Sequence, residues 1–182
     1  YQKLNNNVET QFITKDFATP KFYNNPTWGG AIYHQSTYDI TKTLHASIGL
    51  RYDYERVGEN YTANKYNLST GLASNVQTAT YKDHMHFSQI TPKFTLSQQI
   101  SANKMVYASI ARGYKAGGYN VTSTTQKLPA YDPEYNWNYE IGAKLAFLNG
   151  TLQTEMSLFY IDWKHQQVTT TVPGVGNIIN NA

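Results

Sequence analysis

Apolar and polar residues alternate with a period of two along most of the chain, which is the pattern of strands whose two faces meet different surroundings. The stretch HASIGLRYDYE at 45–55 places one apolar set on one face, namely Ala46, Ile48, Leu50, Tyr52 and Tyr54. The alternation recurs within 89–97, 138–147 and 152–160, and no helical pattern of useful length interrupts it. The pattern predicts six strands, at about 28–41, 44–60, 86–99, 104–118, 136–148 and 151–169.

The connections between these strands alternate in length. Short connections are predicted near 41–44, 99–104 and 149–150, and long ones rich in Asn, Thr, Ser, Gly and Pro at about 1–27, 61–85 and 119–135. Short turns at one end and long loops at the other are typical of outer-membrane barrels, whose long loops are external. We therefore expect an all-β fold, an antiparallel up-and-down meander of about six long strands that forms a section of a transmembrane β-barrel.

The composition agrees with such a protein. Tyrosine accounts for 16 of the 182 residues, and charged residues for only 15%, against about 25% in ordinary soluble domains. The formal charge of +3 is too small to indicate nucleic-acid binding. Cysteine is absent, which excludes a disulfide framework and thiol chemistry.

The tyrosines mark a predicted membrane interface. Tyr52, Tyr54, Tyr139 and Tyr160 fall on the apolar faces, towards the long-loop ends of their strands. Tyrosine suits the layer where hydrocarbon meets headgroups, because its ring is apolar and its hydroxyl is polar. The alternation and these rings together indicate that the apolar faces meet lipid.

The stretch FLNGTL at 147–152 predicts one hairpin register. Asn-Gly is favoured in a two-residue type I′ turn, because both central positions need a positive φ. A turn at Asn149-Gly150 pairs apolar with apolar residues along 139–147 and 152–160, and it sets Lys144 opposite Glu155 on the other face. A one-residue slip would place each apolar residue opposite a polar one.

Five segments in order resemble one family. The segments ASIGLRYDYE, ITPKFTLSQQI, MVYASIARGYKAGGYN, YDPEYNWNYEIGAKLAF and LFYIDWKHQQV are similar to the barrel of TonB-dependent outer-membrane receptors. The resemblance covers roughly residues 28–170 and is nearest to the siderophore-receptor branch. It implies TonB-energised import of a scarce ligand, such as a ferric siderophore, through the bacterial outer membrane.

The same resemblance implies the partners. They are outer-membrane lipid, a plug domain, the TonB complex and a small-molecule ligand such as an iron chelate. Outer-membrane transporters of this type have barrels of about 22 strands. We therefore expect residues 1–182 to be a partial barrel domain that lacks the plug and the remaining strands. We also expect the segment alone not to fold as a closed unit.

Aromatic residues at or near the long connections are the candidate ligand contacts: Tyr61, Tyr66, Tyr119, Tyr131 and Trp137. Charged residues of the opposite face, such as Arg51, Asp53, Lys93, Glu140 and Lys144, either line a solvated inner wall or contact a plug. His84 and His86 have metal-like spacing, but with no third ligand we interpret them as an ordinary loop end. No cofactor, metal or catalytic set is predicted, and the chain is not expected to be an enzyme.

Arg112 is predicted on the apolar face near the outer end of its strand. We expect it to reach the headgroups or to be turned inward by a bulge, since an arginine in hydrocarbon is costly. Two rival functions remain open at this stage. One is a passive porin-like or adhesin barrel, and the other is a soluble carbohydrate-binding β-sandwich whose apolar faces pack against each other.

Overall fold

The computed structural model describes residues 2–13, 17–67, 76–121, 130–173 and 175–182. Its strands are β1 (Gln2–Ile13), β2 (Phe17–Asp39), β3 (Leu44–Asn67), β4 (Val76–Ser101), β5 (Lys104–Lys115), β6 (Glu134–Phe147), β7 (Leu152–Lys164), β8 (Gln167–Val172) and β9 (Gly176–Asn181). In the described part of the chain, no helix is long and apolar enough to span a membrane.

Strands β1 to β7 form one antiparallel sheet in sequence order, and β8 pairs with β9 in a separate hairpin. The predicted antiparallel meander is confirmed, and β2 to β7 are its six predicted strands. The described residues form no second sheet packed face to face on the first, which is the arrangement that a β-sandwich requires.

Two stretches predicted as loops are largely strand. Within 1–27 the chain forms β1 and the first part of β2, and within 61–85 it forms the far ends of β3 and β4. Asparagine and proline there are uncommon in strands, yet the ladders of the flanking strands continue through them. Residues 14–16, 68–75 and 122–129 lie outside the described residues, so the predicted loops are tested only in part.

Two strands end earlier than predicted. β5 ends at Lys115, before the two glycines at 117 and 118. β7 ends at Lys164, because His165 adopts a positive φ of 53° that breaks the extended conformation before β8 begins.

The predicted hairpin register is confirmed along its whole length. Phe147 pairs with Leu152, Lys144 with Glu155, and the ladder continues in that register to Tyr135 and Lys164. Asn149 has φ 56° and ψ 35°, Gly150 has φ 88°, and the Thr151 amide donates to the Leu148 carbonyl at 3.2 Å. These values fit a type I′ turn, and Leu148 is also left-handed, so the ladder begins only at the next pair.

The sheet has two faces of different character. We call face A the side of Ile48, Phe94 and Tyr139, and face B the side of Ser47, Thr95 and Glu140; the register aligns each set across strands. Between the short turns and the level of Tyr54, face A carries an exposed apolar band that includes Ile32, Tyr52, Ile141, Leu158 and Tyr160. On face B the same rows carry mainly serine, threonine, glutamine and charged residues.

The sheet divides before the level of Tyr54 is reached. The β4–β5 ladder ends at Lys93 and Ala111, whereas β3–β4 continues to Lys65 and Val76, and β5–β6 continues to Lys115 and Glu134. The chain after β5 packs against face B of β4, since a Cβ on Gly117 would lie 2.9 Å from the Phe87 ring. The far ends of β3 and β4 are thereby covered on face B.

Candidate ligand-binding surface

Face B of β2 and β3 is buried beyond the apolar band. The side chains concerned are Lys21, Tyr23, Val57, Glu59, Tyr61 and Ala63, and Tyr61 retains only 1% of its exposure. Polarity along the strands therefore reverses, because at this level face A carries the polar residues Asn60 and Lys82. This reversal marks a change of surroundings along the same strands.

Three tyrosines on neighbouring strands form a ring cluster on this surface. Tyr23 and Tyr61 are directly opposite in the β2–β3 ladder, with ring centroids 4.8 Å apart. Tyr61 and Tyr81 are opposite in the β3–β4 ladder and stack at 4.6 Å. Cross-strand aromatic pairs of this kind stabilise neighbouring strands, so the cluster is a packed aromatic core in which Tyr23 and Tyr61 are almost fully buried.

Two buried phenols, one in this cluster and one in the segment after β5, have unused hydrogen-bonding capacity. The hydroxyls of Tyr61 and Tyr119 are buried and have no hydrogen-bond partner among the described residues. Burial, with the nearby carboxylates of Asp83 and Glu59, raises the pKa of Tyr119 to about 12. Burial likewise raises the pKa of Tyr61 to about 12, so both hydroxyls are neutral at ordinary pH. A buried polar atom without a partner is costly.

Side-chain amides attach the β8–β9 hairpin beside this surface. Asn120 donates from Nδ2 to the Ile179 carbonyl at 2.9 Å and accepts from the Ile179 amide at 2.7 Å. Asn181 makes the same reciprocal pair with the backbone of Asp132, at 2.9 and 2.7 Å. Each side-chain amide donates to and accepts from the backbone of one residue, as a neighbouring strand would. A few defined hydrogen bonds therefore attach the hairpin.

Of the predicted contact residues, Tyr61 and Tyr119 are both buried, at 1% and 7% of their exposure. Tyr131 is half-buried, and its backbone forms an isolated bridge with Gly118, next to Tyr119 in the chain. Tyr66 lies within β3, paired in the backbone ladder with Ala18, and not in a loop.

Trp137 is placed apart from the other candidates. It lies in β6 opposite Arg112, within the strand predicted at about 136–148, in the rows that continue the apolar side of the sheet. The extended ladder of β5 and β6 continues through it, which fixes its position in the wall.

Sequence reasoning missed Lys21, Tyr23, Glu59 and Tyr81. The stretch VGENYTA at 57–63 does alternate, with Val57, Glu59, Tyr61 and Ala63 on one face. That signal was not recognised, because a glutamate on the buried face and asparagine and threonine on the other resemble a polar loop.

Arg112 and the two histidines take other positions. The Arg112 guanidinium lies 4.9 Å from the Tyr135 ring centre and donates to the Ile90 carbonyl at 3.4 Å, at the point where β4 and β5 separate. His84 and His86 share one face of β4, with rings 5.1 Å apart, and Tyr54 bonds His86 Nδ1 at 2.7 Å. The described ranges contain no group of three or more His, Cys, Asp or Glu side chains that could hold a metal ion.

Comparison with known proteins gives one family. The family model described as TonB dependent receptor-like, beta-barrel, matches residues 1–182. Pesticin receptors of Yersinia enterocolitica are 24% identical over 151 residues, which cover 82% of this chain and 21% of theirs. The chain thus spans about a fifth of the length of these curated relatives.

Two solved structures share the fold. The ferric yersiniabactin uptake receptor FyuA from Yersinia pestis superposes with a TM-score of 0.69 at 18% identity, over 96% of this chain and 25% of that one. The ferric-catecholate import receptor Fiu from Escherichia coli K12, in its closed form, gives 0.63 at 15% identity, over 96% and 32%.

Proposed function

Because the chain belongs to the TonB dependent receptor-like β-barrel family, we propose that it forms part of the wall of an outer-membrane receptor that imports a ferric siderophore with energy from TonB. The single observation that carries this proposal is the uncovered apolar band of face A. It ends at short turns on one side and at Tyr54, Trp28 and His86 on the other.

An exposed apolar band of this size favours a lipid environment. In a water-soluble protein, contiguous exposed apolar surface is normally limited to a few hundred Å². In the described residues, no second layer covers the large side chains of face A, which include Ile32, Ile48, Tyr139, Leu158 and Tyr160. The band supports membrane insertion and argues against the carbohydrate-binding sandwich.

The ligand class is proposed from the proteins with similar folds. Tyr61 and Tyr119 keep only 1% and 7% of their exposure, so they belong to the aromatic core at this end of the sheet and do not themselves face a ligand. The receptors with similar folds are named for ferric yersiniabactin uptake and ferric-catecholate import. An iron chelate is therefore the ligand class that we propose for the full-length protein.

Uptake by intact cells tests the proposal. Cells that express the full-length receptor, and matched cells without it, are given iron-55 bound to catecholate, phenolate or hydroxamate chelators. We expect receptor-dependent accumulation of at least one chelate that is lost in cells lacking TonB. Accumulation that persists without TonB would support the passive porin-like barrel instead.

A further inference from the structure

A patch of basic residues lies on face A immediately beyond the apolar band. Arg56 in β3 is directly opposite His86 in β4, and Lys82 and His84 follow His86 on the same face at alternate positions. All four side chains are exposed. The patch, defined by Arg56, Lys82, His84 and His86, thus projects from two neighbouring strands on the side that carries the band.

No carboxylate neutralises this patch in the described part of the chain. None of its four residues forms an ion pair there. The acidic residues of the same strands, Glu55, Glu59 and Asp83, alternate onto face B. In the register of β1, Lys3 pairs with Trp28, which in turn pairs with Arg56. Glu9 pairs with Phe22, which pairs with Thr62, so Glu9 lies beyond the level of Lys82.

Aromatic contacts fix the lower edge of the patch. Trp28 meets the Tyr54 ring edge-on at 5.3 Å, and the Tyr54 hydroxyl bonds His86 Nδ1 at 2.7 Å. His86 is thereby held in place, with Nε2 left available to an external group. Tyrosine and tryptophan prefer the headgroup level of a bilayer, so the patch lies at the height where lipid phosphates are found.

We propose that this patch binds the phosphate of an anionic lipid headgroup in the leaflet around the barrel. The inference rests on the proposed membrane location. Arginine recognises phosphate through a planar pair of donors, while lysine adds a compact charge. The patch continues directly from the apolar band, so a lipid whose chains lie on the band presents its phosphate to Arg56 and Lys82.

Native mass spectrometry of the full-length receptor in neutral detergent tests this. The probes are phosphatidic acid, which carries a phosphate monoester, and phosphatidylcholine, whose phosphate is neutralised within its own headgroup. We expect retention of phosphatidic acid in preference to phosphatidylcholine. Each lost cation is expected to lower that retention about fivefold, and Arg56→Gln with Lys82→Gln about 25-fold.

The strand offers a matched control. Lys82 and Lys93 are both exposed lysines of β4, but Lys93 lies on face B. Lys93→Gln makes the same change of net charge and is expected to leave retention unchanged. Equal losses in Lys82→Gln and Lys93→Gln would overturn the proposal, because retention would then follow net charge alone.

Two further outcomes would also overturn it. Retention that is unaffected by the double substitution, or by both single substitutions if the double variant does not fold, would exclude the patch. Displacement of the lipid by millimolar inorganic phosphate would assign the site to free anions. The proposed function is judged separately: recovery of the wild-type receptor without detergent would contradict the membrane location itself.

Discussion

At the scale of single residues, the space taken by a neighbouring aromatic ring explains why position 142 is a glycine. Gly142 in β6 lies directly opposite Tyr107 in β5. A Cβ on Gly142 would lie 2.5 Å from Cζ of Tyr107, while the Tyr107 hydroxyl donates to Glu140 Oε1 at 2.6 Å. The ring covers the glycine and reaches the carboxylate because no side chain stands between them.

We therefore expect Gly142→Ala to displace the Tyr107 ring and break its bond to Glu140. The free energy of unfolding should fall by about 1–3 kcal/mol, measured by urea titration of the full-length receptor in detergent. Gly49→Ala is the control, since its Cβ would make an ordinary contact with Lys93 at 3.6 Å. Equal effects of the two substitutions would contradict the role given to Tyr107.

At the scale of elements, the best-defined unit is the β6–β7 hairpin. Its register pairs the Lys144 ammonium with the Glu155 carboxylate at 2.9 Å on face B. Both side chains are about half exposed, so water and salt screen their attraction. The pair supports a register that the turn and the apolar pairs already determine.

A charge-reversal cycle measures this pair. Lys144→Glu should destabilise the receptor, because two carboxylates then face each other, and adding Glu155→Lys should restore stability. The coupling free energy is expected to be about 0.2–1 kcal/mol and to decrease with added salt. A coupling of zero at low salt would mean that the two groups do not meet in solution.

The β8–β9 hairpin is a second element, and side-chain amides attach it. Asn120→Leu removes both bonds to the backbone of Ile179, one donated and one accepted. Hydrogen exchange at the Ile179 amide is expected to accelerate about 10–30-fold in the full-length receptor.

Asn177→Ala is the control for this prediction. Asn177 bonds Thr171 within the hairpin at 2.7 Å and does not attach it to the rest of the chain. The control should leave exchange at Ile179 near the wild-type rate. Unchanged exchange in Asn120→Leu would show that other contacts hold the hairpin.

At the scale of the whole molecule, the two ends of the sheet differ in their connections. The described turns 40–43, 102–103 and 148–151 lie at one end, and the connection that follows β5 lies at the other. The strands of β2, β3 and β4 have 23, 24 and 26 residues, well above the roughly 9–11 that cross a bilayer. The excess length extends beyond the band, towards the end that we expect to be external.

Cysteine labelling tests that sidedness cleanly, because the chain contains no cysteine. Ala130→Cys, in the long connection, and Asn103→Cys, in a short turn, are both exposed positions. A membrane-impermeant maleimide should label Ala130→Cys in intact cells, and Asn103→Cys only after the outer membrane is permeabilised. Labelling in the reverse order would invert the predicted topology.

The sequence by itself determined the strands of the apolar band and the register of one hairpin, β6–β7. Alternation at 45–55 and 138–147 assigns each residue to a face, and Asn149-Gly150 favours the turn that pairs Phe147 with Leu152. These are local signals, since a pleat has a period of two and a type I′ turn needs positive φ at two successive residues.

Only the tertiary structure decided the region beyond the band. Lys21, Glu59 and Tyr61 are buried there because the chain after β5 turns back over face B. Trp137 and Tyr119, which are both aromatic and close in sequence, are separated because one lies in the wall and the other in the covering segment. The alternation at 57–63 marks one face of β3, but contacts between distant segments leave no period in the sequence, so no local pattern shows which segment covers that face.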